Sequence, residues 1–227
     1  MKRTCRCVAI ALVALGQIVL GQTAAQSLLV RLGEAFRTAS EPAKVTASEE
    51  SKLRSALAQR PHAMSKREVA AIYYYFAWRD TSHTSTRKLV ATLAKGNMAD
   101  RDSLTAPLLA QFKHSRDPVA FKHLMTAKLD GGPAEVLYHA RIELMLFAPE
   151  TSARWLRARY GTHLVKHAKK LRRDAYVEDV SWSLPDEQEF DARLERATRV
   201  VSARDRAYLR TFVADLRALH RLWWSGS

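Results

Sequence analysis

Helix starts, apolar residues three or four positions apart, and helix stops recur in that order along most of the chain, and this periodicity restricts the fold more than any single motif does. No stretch reads as part of a sheet. Thr46-Ala47-Ser48-Glu49 and Ser65-Lys66-Arg67-Glu68 match the capping box, in which a hydroxyl and a later carboxylate satisfy amides that a helix start leaves unpaired. They predict helices over Ser48–Gln59 and Lys66–Trp78, separated at Pro61. Further helices are expected over Arg87–Lys95 before Gly96, Ala106–Lys113, Pro118–Leu129 and Pro133–Phe147, with Gly131-Gly132 and Pro149 as breaks. Ser152–Arg172 reads as one more helix, disturbed at Gly161, and Asp174–Pro185 as a long connection.

The strongest stripes come last. Phe190, Leu194, Ala197 and Val201 form one, and Leu209, Phe212, Leu216, Leu219 and Trp223 form another, so each helix buries a single face. Only Ser202, Ala203 and Arg204 separate them, which predicts an antiparallel pair. The expected fold is therefore all-α, a multi-helix bundle or a short α-hairpin solenoid of about nine to ten helices. Arg-Asp pairs at Arg79-Asp80, Arg101-Asp102, Arg116-Asp117, Arg173-Asp174 and Arg204-Asp205 punctuate it. Arginine suits the negative end of one helix, and aspartate caps the next.

The first residues do not belong to that pattern. Lys2, Arg3 and Arg6 are followed by the apolar stretch Val8–Leu20 and by the small residues Thr23-Ala24-Ala25, the arrangement of a secretory signal cut after Ala25. Thirteen residues interrupted by Gln17 fall short of the roughly 20 that a spanning helix needs. Cys5 and Cys7 precede the apolar stretch, where no lipid anchor is attached. Residues 1–25 are thus expected to be a signal peptide and residues 26–227 a single basic helical domain, periplasmic or secreted. That domain has no cysteine, hence no disulfide, no thiolate metal site and no cysteine nucleophile.

Charge bears on partners. The whole chain carries +14; without the three leader cations, 34 lysines and arginines stand against 23 acids, a net +11. Such a field draws in polyanions from a distance and weakens with salt. In the envelope these are anionic polymers or lipid headgroups, or an acidic protein, whereas export removes the chain from nucleic acid. No glycine-rich phosphate loop, dinucleotide fingerprint or Gly-x-Ser-x-Gly elbow occurs, and no cofactor is implied.

Two sets of residues remain as candidate sites. Glu135, His139 and Glu143 repeat every fourth residue along one face of an otherwise apolar helix. Two carboxylates flanking an imidazole are the equipment of general acid and base catalysis, as in an envelope hydrolase; the same spacing also suits a polar seam paired with arginines. The second set is cationic. Between Arg154 and Arg173 there are eight lysines and arginines and no acid, a field that opposes a metal ion at His163 and His167. If Ser152–Arg172 is one helix, Leu156, Tyr160, Leu164, Ala168 and Leu171 face the core, while Arg159, Lys166, Lys169, Lys170 and Arg173, with Trp155, form an anion- or partner-binding face. An exported helical binding module that uses this face is the leading expectation.

Overall fold

A computed structural model describes residues 26–59, 64–80, 82–129, 132–184 and 187–224. The expected leader and its expected cleavage site, and the breakers Pro61, Gly131 and Pro185, lie outside them. The described residues are all-α, without a strand, and divide into two compact units at Lys95 and Gly96.

The amino-terminal unit contains α1 (residues 26–37), α2 (Ala47–Gln59), α3 (Lys66–Ala77) and α4 (Thr84–Leu93). Both capping boxes form: Glu49 N–H donates to the Thr46 hydroxyl while the Glu49 carboxylate accepts from Thr46 N–H at 2.7 Å, and Glu68 and Ser65 repeat the exchange. Helix α3 is the centre of this unit, buried on nearly every side from Val69 to Ala77. Its run of rings is therefore core, with hydroxyls finding partners at the edges: Tyr74 donates to the Ser40 carbonyl, and Tyr75 meets Glu50 and Arg79. Asp80 prepares α4. Its carboxylate accepts from the Ser82 amide and hydroxyl and from Ser85 N–H, which commits that acid to the start of the helix.

The carboxy-terminal unit runs through α5 (Met98–Asp102), α6 (Thr105–Ser115), α7 (Pro118–Thr126), α8 (Gly132–Phe147) and α9 (Pro149–Tyr160). A 3-10 turn (Leu164–His167) leads into the short α10 (Ala168–Leu171), followed by α11 (Ala175–Ser183), α12 (Glu187–Thr198) and α13 (Ala203–Trp224). Helix α8 packs against α6, α7, α9, α11 and α12. One helix with five neighbours defines a bundle, since a solenoid repeat touches only the repeats beside it. Arg116 takes the left-handed conformation at the end of α6, and Asp117 caps α7 through Val119 N–H at 2.7 Å with Pro118 in the first turn. Helices α12 and α13 run antiparallel, because the partners of residues 191, 195 and 198 descend in order through 217, 210 and 206.

The helices at 26–37 and Met98–Asp102 are not expected from periodicity, the one expected over Pro118–Leu129 ends at Thr126, and two spans differ more deeply. The helix expected over Ser152–Arg172 ends at Tyr160. Gly161, at φ 66° and ψ −141°, and His163, at φ 63°, turn the chain before Leu164 resumes it. The Asp215 carboxylate on α13 holds the new start by accepting from Leu164 N–H at 2.6 Å. The connection expected over Asp174–Pro185 is instead largely α11. Asp174 caps it through Tyr176 and Val177 N–H, and Tyr176, Val177 and Val180 are buried where α11 packs on α8 and α13. Tertiary burial decides the state of so short a segment.

Candidate anion-binding surface

The polar stripe of α8 divides in the structure. Glu135 and His139 are exposed, and neither meets the clefts described below. Glu143 is committed to cations on two neighbouring helices: Lys113 of α6 at 3.2 Å and Arg193 of α12 at 2.7 Å. Burial raises the Glu143 carboxyl, but hydrogen bonds and charge from Arg193 and Lys113 outweigh it and hold the group below the usual carboxylate range. It is ionised at neutral pH and holds no proton to donate. The geometry at Glu143 is that of a seam joining three helices.

The unexpected polar residue of α8 lies on its opposite side. Arg141 sits among Leu137, Ala140, Leu144 and Met145 on the buried stripe and is 1% exposed. Its Nε–H donates to the Leu124 carbonyl at 3.1 Å, Nη2 to the Ala127 carbonyl at 2.6 Å and Nη1 to Asp179 at 3.3 Å. The guanidinium also lies 4.9 Å from the centre of the Tyr176 ring. It thereby satisfies the carbonyls at the end of α7 and ties α7, α8 and α11 together. Burial pulls the Arg141 guanidinium down and pushes the Asp179 carboxyl up, so desolvation outweighs their attraction across one contact.

The cationic candidates separate into two groups at the turn after α9. Trp155 and Arg159 belong to an aromatic cluster with Tyr160 and Tyr176. The Arg159 guanidinium lies 5.5 Å from the Trp155 ring centre, bonds the Tyr160 hydroxyl at 2.9 Å and pairs with Asp174 at 3.2 Å. Lys166, Lys169, Lys170 and Arg173, together with Arg172, are exposed and have no ion-pair partner among the described residues. They lie on the 3-10 turn, α10 and the bend after it, so they form an irregular cationic surface rather than one face of a long helix. His163 ends the left-handed turn and His167 lies inside the 3-10 segment, so the α-helical turn that would set two imidazoles side by side is absent from this segment. Among the described residues no group of three or more histidines, cysteines or acids is placed to hold a metal ion.

Two concavities flank this surface. A cleft of about 280 Å³ lies between the turn after α9 and helix α13, bordered by Arg157, His163, Leu164, Arg204, Tyr208 and Phe212. Arg157 pairs with Asp205 at 2.6 Å across it and lies over the Tyr208 ring. A much smaller cleft, about 60 Å³, is bordered by Lys128, Arg141, Arg159, Arg173, Asp174 and Tyr176. Burial pushes the Tyr160 and Tyr176 phenols up and Tyr208 up to about 12, so all three keep their protons at neutral pH.

Arg159 and Arg173 were legible as cations of a candidate surface; Lys128 and Arg141 were not. The available signal for Arg141 was its place in the apolar stripe, one position after Ala140 and three before Leu144. No protein-family model, curated protein or solved structure matches the chain.

Proposed function

We propose that this chain is an exported helical binding protein whose carboxy-terminal unit holds a phosphate-bearing anionic component of the cell envelope. The carrying observation is the run of five exposed cations in eight residues, Lys166 to Arg173, with no carboxylate partner among the described residues. Elsewhere in the same unit Arg154, Arg157, Arg159, Arg193, Arg210 and Arg217 each meet an acid. Leaving this dense run unneutralised maintains a local positive potential that costs folding energy by self-repulsion and favours an external anion. The leader of residues 1–25 supports a periplasmic or secreted location, and no described helix is long and apolar enough to cross a membrane.

Sedimentation of the mature chain with phosphatidylglycerol vesicles and with phosphatidylcholine vesicles tests this reading. Binding is expected only to the anionic vesicles, falling steeply between low and physiological salt as counterions compete. Replacing Lys166, Lys169, Lys170 and Arg173 with glutamine should abolish most of it. Equal binding to both vesicle types would sink the proposal, as would indifference to the fourfold substitution. Capture of an acidic protein that survives high salt would transfer the surface to a protein partner.

A further inference from the structure

We infer that the cleft where Lys128, Arg141, Arg159 and Arg173 converge is a selective site for one phosphate monoester. The four cations come from the end of α7, from α8, from α9 and from the bend before α11, and the cleft they border is about 60 Å³. That space admits a single tetrahedral oxyanion and excludes a sugar ring or an acyl chain. Asp179 pairs with Arg141 behind the cleft, so the local charge is +2 once Asp174, the one acid on the border, is counted. The Asp174 carboxylate is already occupied by Arg159, the Tyr160 hydroxyl and the Tyr176 and Val177 amides. An incoming anion therefore meets a neutralised acid and a surplus of cations.

The two arginines are fixed in advance. Of the five N–H groups of a guanidinium, Arg141 uses one toward each of Leu124, Ala127 and Asp179, which leaves two donors uncommitted on a side chain that cannot move. Arg159 is held against Trp155 and Tyr160. Lys128 and Arg173, both exposed and without an ion pair among the described residues, supply the adjustable charges at the mouth. Planar forks held by packing recognise phosphate oxygens in pairs, whereas flexible lysines contribute only charge. A monoester offers three terminal oxygens and close to two charges, against two oxygens and one charge for a diester. The site is thereby selective between phosphates, which the exposed run at 166–173 is not.

This deepens the envelope-binding reading and rests on it only for what carries the phosphate. Titration of the mature chain with inorganic phosphate, followed by amide chemical shifts at constant ionic strength, should show one saturable site. Lys128→Gln and Arg173→Gln should each weaken it about tenfold, the loss expected of one charged hydrogen bond. Both residues are exposed, so an unchanged circular-dichroism spectrum is expected of each variant. The triple substitution Lys166→Gln, Lys169→Gln and Lys170→Gln should leave phosphate affinity within about twofold while weakening binding to phosphatidylglycerol vesicles. Non-saturable shifts, or equal losses in the triple and the single variants, would overturn the inference while leaving the envelope-binding reading standing. A second arm compares phosphatidic acid with phosphatidylglycerol vesicles matched for surface charge. Preference for phosphatidic acid that disappears in Arg173→Gln assigns the phosphate to a lipid monoester. A saturable phosphate site without that preference assigns it to free phosphate.

Discussion

Replacing Arg141 with methionine removes a buried guanidinium from the bundle core while keeping most of its volume. Three acceptors lose their donor: the Leu124 and Ala127 carbonyls and one oxygen of Asp179. Breaking a buried ion pair by removing one member costs about 3–5 kcal/mol, most of it the desolvation of the group left behind. For a protein of this size that corresponds to a fall in melting temperature of roughly 8–15 °C. Asp179 gives the effect a pH dependence. Its carboxyl is already raised by burial, and losing Arg141 raises it further. A raised carboxyl keeps its proton in the folded state while the unfolded chain has released it, so stability falls as pH rises between the two values. The deficit of Arg141→Met should therefore be largest at neutral pH and shrink toward pH 4, where the folded carboxyl keeps its proton and the unfolded one approaches half-protonation. Urea unfolding monitored by circular dichroism at pH 4, 5.5 and 7 measures it. Adding Asp179→Asn should recover about 1–2 kcal/mol at pH 7 and much less at pH 4. A single variant within about 1 kcal/mol of the parent, or a double variant no better than the single, would refute the role given to Arg141.

Two further outcomes follow from the turn and the seam. Gly161→Ala should destabilise the carboxy-terminal unit by about 1–3 kcal/mol in thermal melts, from backbone conformation alone, since a β-carbon there meets nothing within 4 Å; unchanged stability would show that the turn after α9 relaxes freely. Glu143→Gln should cost only about 0.5–1 kcal/mol, because the pair with Lys113 and Arg193 is one-third exposed. The carboxyl is lowered in the folded state, so that stabilisation is present above the ordinary carboxylate range and is lost as pH falls through its folded value. A loss of several kcal/mol, or one that grows on acidification, would contradict the seam.

What the residues announced and what they withheld follow from the range of the forces involved. Capping boxes at Thr46 and Ser65 and the proline start at Pro118 act within one turn, and each is found where the pattern places it. The antiparallel pairing of α12 and α13 follows from a short connection, expected as three residues and found as four, 199–202. The end of α9 at Tyr160 was harder, because the apolar spacing from Leu156 to Leu171 continues through Gly161 as though the helix did, and the break is fixed by Asp215, about fifty residues away. Helix α11 was obscured for a related reason: it is nine residues long, and burial against α8 and α13 stabilises it more than its own composition. The candidate surface was readable as charge but not as shape. Local sequence marks Arg159 and Arg173 as basic, while only the fold sets them beside Lys128 and Arg141.

That convergence gives the cations of one bundle two separable tasks. Lys166, Lys169 and Lys170 have nothing to fix their orientation, so they contribute potential over a Debye length of about 8–10 Å, which salt erodes. Arg141 and Arg159 are immobilised by carbonyls and rings, so their contribution is directional, short-ranged and far less sensitive to salt. Recruitment should then depend on ionic strength while retention at the cleft depends on the shape of the anion. In a stopped-flow experiment with phosphatidic acid vesicles, raising salt and substituting the three lysines should both slow association. Arg173→Gln should act mainly on dissociation, since it removes a contact made only after docking. If all three perturbations changed the association rate alone, the cleft would add nothing to the field around it.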